Sequence, residues 1–274
     1  MKAKVRVGAV SFLNAKPLVY GIEEGLGAGR IALSLHRPSE LADLMAAGEL
    51  DVGLLPSIEL ARIGDLVVAP GLAISTHGPA ASVLLVSRRR LEEVESVALD
   101  PDSRTSNALT RVLFAEVWRS APRCSVGPSD LADALRGHDA AVRIGDKALF
   151  EPLPEGAVAT DLGEAWTGRT GLPFVFAVWA ARPGVLDREL YELLHASRRR
   201  GSRMLEAIAA QYAWNGRRFP ERSLEYLQRH IRYRLGAPEV ESLRRFFAAA
   251  RGAGVIEAAP EIRLASFSPA ECGP

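Results

Sequence analysis

The chain has 274 residues, 48% of them hydrophobic, and 34 Lys and Arg against 33 Asp and Glu, a formal net charge of +1. This is enough apolar material for one large core or two modest ones, and near-neutral charge with arginines scattered among acids leaves no electrostatic footprint for nucleic acid. Cys124 and Cys272 lie far apart with no CxxC or Cys/His cluster, so neither a disulfide scaffold nor a structural zinc site is suggested and both read as plain thiols.

The chain opens with VRVGAVS, a strand. Its N-terminal stretch MKAKVRVGAVSFLNAKP carries two lysines, but the apolar run is short, contains Arg6 and meets polar residues without a small-residue cleavage site, which reads as a strand rather than an export signal. No window reaches the roughly 18 apolar residues of a membrane helix. The expected location is the cytoplasm, with no membrane partner. IALSLH, DVGLL and LVVAPG come next as strands, and PSELADLMAAGEL as a crossover helix, with Pro38 and Ser39 at its start, Leu41, Leu44 and Met45 on one face and Gly48 near its end. GLGAG (25–29) comes after a helix pattern rather than a strand and lacks the context of a dinucleotide fingerprint.

After the charged break SRRRLEEVE a second cycle begins: SVALD as strand, SRTSNALTRVLFAEVW as helix, RCSV as strand, PSDLADALRG as helix and DAAVRIG as strand. Alternating strands and amphipathic helices are the signature of βαβ units and a mainly parallel sheet. The runs AASVLLVS (80–87) and PFVFAVWAA (173–181) flank this cycle and suit buried strands crossing between lobes. The expected division is therefore lobe one from 1–87 and 178–274, with lobe two, 88–177, inserted. The C-terminal part reads as three helices, LDRELYELLHASRRRGSRMLEAIAAQYA, PERSLEYLQRHIRYRLG and PEVESLRRFFAAARGAG, apolar on one face and arginine-rich on the other.

In open α/β sheets ligands sit where loops leave the carboxyl ends of strands, and four segments fit. SFLNAKP presents Ser11 and Asn14, with Lys16 beginning the next helix. PSIEL presents Ser57 as a cap or a ligand contact, and Glu59 as a base or a first-turn acid. DPDSRTSN gathers Ser103, Arg104, Thr105 and Ser106 at a helix start, where hydroxyls, free amides and the helix dipole favour an anion; ordinary capping accounts for one such residue better than for the cluster. IGDKAL presents Asp146, either a site acid or a surface partner of Lys147. Ser82 faces the cleft or the core. His36, His77, His138, His195 and His230 show no HExxH-type spacing, and there is no GxSxG elbow for a serine hydrolase. Residues alone thus describe an α/β, two-lobed protein that clamps a small anion, with no nucleotide cofactor indicated.

VSFLNAKPL, LLPSIEL, SVLLVSR, DSRTS and RIGDKAL, in this order, together with the C-terminal IRYRLG, resemble the chorismate dehydratases of the futalosine route to menaquinone. The resemblance spans most of the chain. It implies the fold of periplasmic type II solute-binding proteins, with the ligand cleft between lobes, and loss of water from the dianion chorismate to give 3-[(1-carboxyvinyl)oxy]benzoate, with no cofactor or metal. Asn14, Ser82 and Asp146 then become the expected catalytic residues, and Ser11, Ser57, Ser103, Arg104, Thr105 and Ser106 the expected substrate contacts. The base is left open between Asp146, Glu59 and a carboxylate of the substrate itself. Two other readings stand beside this one: the sister 1,4-dihydroxy-6-naphthoate synthase, from which the SFLN opening differs, and a cytoplasmic small-anion-binding module.

Overall fold

A computed structural model describes residues 3–267; Cys272 lies outside the described residues. Strand β1 (Val5–Val10) leads through a single 3-10 turn into helix α1 (Lys16–Glu23), whose Pro17 occupies the first turn, where a missing N–H costs nothing. Then come β2 (Ile31–His36), α2 (Pro38–Ala47), β3 (Val52–Pro56), α3 (Glu59–Arg62) and β4 (Val67–Thr76). Helix α2 begins at Pro38 and stops at Gly48, whose φ of 80° is the left-handed conformation that a glycine adopts without steric cost. The second cycle is β5 (Val83–Ser87), β6 (Ser96–Leu99), α4 (Thr105–Leu113), β7 (Arg123–Val126), α5 (Leu131–Gly137), β8 (Ala140–Ile144), α6 (Gly145–Phe150), β9 (Val158–Asp161) and α7 (Leu162–Thr170). Strand β10 (Phe174–Ala181), α8 (Arg188–Arg203), α9 (Leu205–Gln211), the short hairpin β11 (Ala213–Trp214) and β12 (Arg217–Arg218), α10 (Pro220–Glu225) and α11 (Ala237–Gly252) complete the chain.

Two five-stranded sheets result. The first has the order β2-β1-β3-β10-β4, the second β7-β6-β8-β5-β9. In each, one strand enters antiparallel among parallel ones: β10 against β3 and β4, and β5 against β8 and β9. Every residue of β3 and β8 is buried, as befits central strands covered on both faces.

These pairings move the lobe divisions read from sequence. Strand β5 belongs to the second sheet and β10 to the first, so the backbone crosses between lobes at 77–82 and 171–173 rather than near 87/88 and 177/178, and we divide the lobes there. Both strands are apolar on both faces, so their patterns carry no record of which sheet receives them. The two crossings are laced together: the Gly78 N–H donates to Thr167 Oγ1 at 3.0 Å, and His77 Nε2 lies 3.4 Å from the Gly171 carbonyl. Asp161 secures the outgoing one, accepting from the Ala80 and Ala81 N–H groups at 2.9 and 2.7 Å while also capping α7 through Gly163 and Glu164. Ala81 holds a φ of 60° there, a left-handed backbone costly for a residue with a Cβ.

The C-terminal helices also differ from their sequence pattern. The long helix expected from 186 breaks at Met204 into α8 and α9. The next one passes from α10 into a π turn, Tyr226–His230, and then turns extended, with Arg232 bridging Ser75 of β4. Helix α11 packs its Phe246 edge-on against Trp166 of α7 and Phe174 of β10, and Trp166 Nε1 donates to Ser242 Oγ at 3.0 Å.

Candidate active site

The carboxyl ends of the parallel strands in both sheets face one cleft between the lobes, about 550 Å³ with the part open to solvent included. Its polar lining is Asn14 from the first lobe, and Ser82, Ser103, Thr105 and Ser106 from the second. Phe12, Ile74, Phe176 and Ile231 supply most of the apolar wall on one side, Val83 and Ile144 on the other. Among the described residues, no ionisable side chain lines this space.

The hydroxyl cluster is held by its own backbone. Asn107 braces the loop before α4, its Oδ1 accepting from the Asp100 N–H at 3.1 Å and its Nδ2 donating to the Asp100 carbonyl at 2.8 Å and to the Ser103 carbonyl. Ser103 Oγ accepts from the Ser106 N–H at 3.2 Å, and Thr105 Oγ1 from the Ile58 N–H of the opposite lobe at 3.2 Å. A hydroxyl that accepts keeps its own proton to give. Both residues thus offer an O–H to the cleft beside the start of α4, where free amides and the helix dipole add to the attraction for an anion.

Across from this cluster, Asn14 Oδ1 is buried and accepts no hydrogen bond from the described residues. Leaving such an acceptor unmatched costs about 1–3 kcal/mol, the kind of expense retained where a ligand supplies the donor. Ser82 ends the outgoing crossing. Its carbonyl accepts from the Gly145 N–H at 2.8 Å, and its Oγ lies 2.6 Å from the Tyr226 hydroxyl. Gly145 has a φ of 64°, and a Cβ there would meet the Phe12 ring at 2.9 Å, so glycine is required on this wall for both backbone and space.

The remaining sequence candidates take other places. Ser57 is fully buried and donates through Oγ to the Val175 carbonyl at 2.8 Å, while its N–H donates to the Phe176 carbonyl; it fastens α3 to β10. Ser11 is exposed, with its N–H on the His36 carbonyl. Arg104 turns from the cleft and spans the lobes to Asp43 and Glu59, the second at 3.4 Å. Glu59, 1% exposed, also faces Arg62 at 3.6 Å; burial pushes its carboxyl up despite both arginines. Asp146 is no surface partner of Lys147, which faces Asp102 at 3.7 Å instead. Its buried carboxylate accepts from the Leu13 N–H at 3.2 Å and from the Tyr212 hydroxyl, both in the first lobe. Burial raises Asp146 as well, against those two donors. Strand-end position marks all these residues equally in a sequence; it does not separate a side chain facing the cleft from one gripping the opposite lobe. Sequence reasoning gives no site role to Phe12, Gly145, Phe176 or Ile231, though each lies within a recognised strand or motif.

A family profile described as menaquinone biosynthesis matches residues 5–252. The chain is 31% identical over 227 residues to a chorismate dehydratase of Thermus thermophilus, covering 76% of this chain and 83% of that protein. It is 32% identical over 174 residues to a chorismate dehydratase of Campylobacter jejuni, 62% of this chain and 64% of the relative. Among solved structures, it superposes on a protein of Archaeoglobus fulgidus with a TM-score of 0.73 at 16% identity, covering 92% of this chain and 98% of that one. The alkanesulfonate-binding protein SsuA of Xanthomonas axonopodis gives 0.69 at 15% identity, over 96% and 99%. The fold is that of periplasmic binding proteins.

Proposed function

The chain belongs to the menaquinone-biosynthesis family, and from that premise we propose how its cleft works as a chorismate dehydratase, a hydro-lyase that converts chorismate to 3-[(1-carboxyvinyl)oxy]benzoate. The observation that carries the mechanism is a cleft wall of amide and hydroxyl groups without an ionisable side chain among the described residues. The futalosine route and a cytoplasmic location complete this reading.

Chorismate brings two carboxylates. One fits the Ser103, Thr105 and Ser106 hydroxyls at the start of α4, where a neutral donor cluster and a helix terminus bind an anion without a paired cation. Asn14 Oδ1, lacking a partner among the described residues, accepts from the C4 hydroxyl and fixes the C–O bond for departure. A neutral amide is a poor base, so Asn14 orients and does not abstract.

The C3 proton needs an acceptor, and the two protein carboxylates considered, Asp146 and Glu59, are engaged between the lobes outside the cleft lining. The substrate carries its own. The enolpyruvyl group is attached at C3, so its carboxylate reaches the C3 hydrogen, whereas the ring carboxylate is held in the plane of C1. The C3–H electron pair forms the C3=C4 π bond, the C4–O bond breaks, and the proton taken by the carboxylate passes to the departing oxygen, giving water. Aromatisation drives the reaction. The protein contributes orientation and the exclusion of bulk water by apolar walls.

The test is incubation of the purified protein with chorismate, without added cofactor, followed by chromatography and mass spectrometry. An aromatic product lighter by one water is expected. Unchanged chorismate with a folded protein would overturn the reading and turn attention to naphthoate-synthase substrates or simple anion binding.

A further inference from the structure

Tyr226 belongs to none of the strand-end motifs, yet its hydroxyl is the partner of Ser82. The side chain is 2% exposed and comes from the first lobe, at the start of the π turn that interrupts the helix after Glu225. A π turn inserts a residue relative to regular helix and re-aims the chain beyond it, and such turns gather at functional sites. Here it carries the chain from Tyr226 to Ile231, which lines the cleft. Ser82 is therefore held from both sides: its carbonyl by Gly145 of the second lobe, its hydroxyl at 2.6 Å by Tyr226 of the first.

The direction of that hydrogen bond matters. A serine has one proton and two lone pairs. Were Ser82 to donate to the phenol, its only proton would be spent inside the wall; with the phenol donating, that proton is free to point into the cleft. Burial raises the phenol, so it keeps its proton at neutral pH. Of the two hydroxyls the phenol is by far the stronger acid, which makes it the better donor and leaves the serine oxygen to accept. Donors then run in one sense, from Tyr226 to Ser82 and onward into the cleft.

We infer that Tyr226 is a positioning residue, acting through Ser82, whose hydroxyl turns the Ser82 proton into the cleft toward the oxygen that departs from C4. The inference rests on the dehydratase reading, and its role is to stabilise charge on the leaving oxygen as the C4–O bond lengthens.

A double-mutant cycle on the purified enzyme tests it, with kcat, KM and thermal midpoint measured for wild type, Tyr226→Phe, Ser82→Ala and the double variant. Tyr226→Phe is expected to lower kcat about tenfold with KM within about twofold and the fold retained. In the Ser82→Ala background the same change is expected to cost nothing further, because the tyrosine has no proton left to direct. Wild-type kcat in Tyr226→Phe, an equal loss in both backgrounds, or a variant that does not fold would each overturn the proposal, the last by making Tyr226 a structural residue. An inactive wild type would instead overturn the dehydratase reading and this inference with it.

Discussion

The interior of the cleft and the seam that surrounds it use opposite chemistry. Inside, Asn14, Ser82, Ser103, Thr105 and Ser106 present neutral groups among apolar walls. Around it, Arg104 with Asp43 and Glu59, and Asp146 with Leu13 and Tyr212, join one lobe to the other through charges. On the dehydratase reading proposed above, the contrast teaches how a dianionic substrate is held without a cationic pocket. A fixed cation would hold substrate and transition state alike, whereas aligned hydroxyls and amides can be placed where charge develops. The charged residues serve the closed arrangement of the lobes.

The contrast can be broken by exchanging what the two regions do. The largest effect is expected at Asn14: Asn14→Ala should lower kcat by about a hundredfold with the thermal midpoint preserved, and near-normal turnover would remove Asn14 from the site. Next comes Ser106→Ala, which should raise KM about tenfold, the value of one hydrogen bond to a charged group, with little change in kcat; an unchanged KM would place the bound carboxylate elsewhere. Ser57→Ala belongs to the framework, and should cost about 1 kcal/mol of unfolding free energy by urea titration while leaving both kinetic constants alone.

The smallest effect concerns the seam. Burial raises the folded pKa of Asp146 above its ordinary 3.8, so its contribution to stability is present in acid and is lost as pH rises through the folded value. Asp146→Asn cannot titrate. The stability of wild type relative to this variant should therefore be greatest at the acid end and decline with rising pH, while turnover stays within a few-fold. A constant difference across a thermal-melt series from about pH 4 to 8 would show that burial does not govern this carboxyl.

Much of the architecture was legible in the chain. IALSLH and RCSV are strands over their whole predicted length, and the helix start at Pro38 and stop at Gly48 arise from local chemistry. The lobe divisions were not, because β5 and β10 are buried on both faces and their partners are remote in sequence. The hydroxyl cluster before α4 was legible for a local reason: several donors at one helix start exceed what capping uses. Arg104, Ser57 and Asp146 carried the same local signal but face the other lobe or a neighbouring strand. Tyr226 carried none, since in SLEYLQRH it reads as one more residue on the buried face of a helix, and only the π turn and the approach of Ser82 give it a different part.

The paired crossings at 77–82 and 171–173 have a mechanical consequence. Two adjacent points of attachment define a spine, as in a book, and the covers can swing only about it. Because the crossings are tied together by Gly78 with Thr167 and His77 with Gly171, the spine resists sliding and twisting. Ser82 sits at its edge, beside Tyr226. The links of Ile58 with Thr105 and of Leu13 with Asp146 span the pages themselves, far from the spine in sequence, and here the book is shut. Opening the pages would break those links, whereas the ties of the spine lie where the pages are joined.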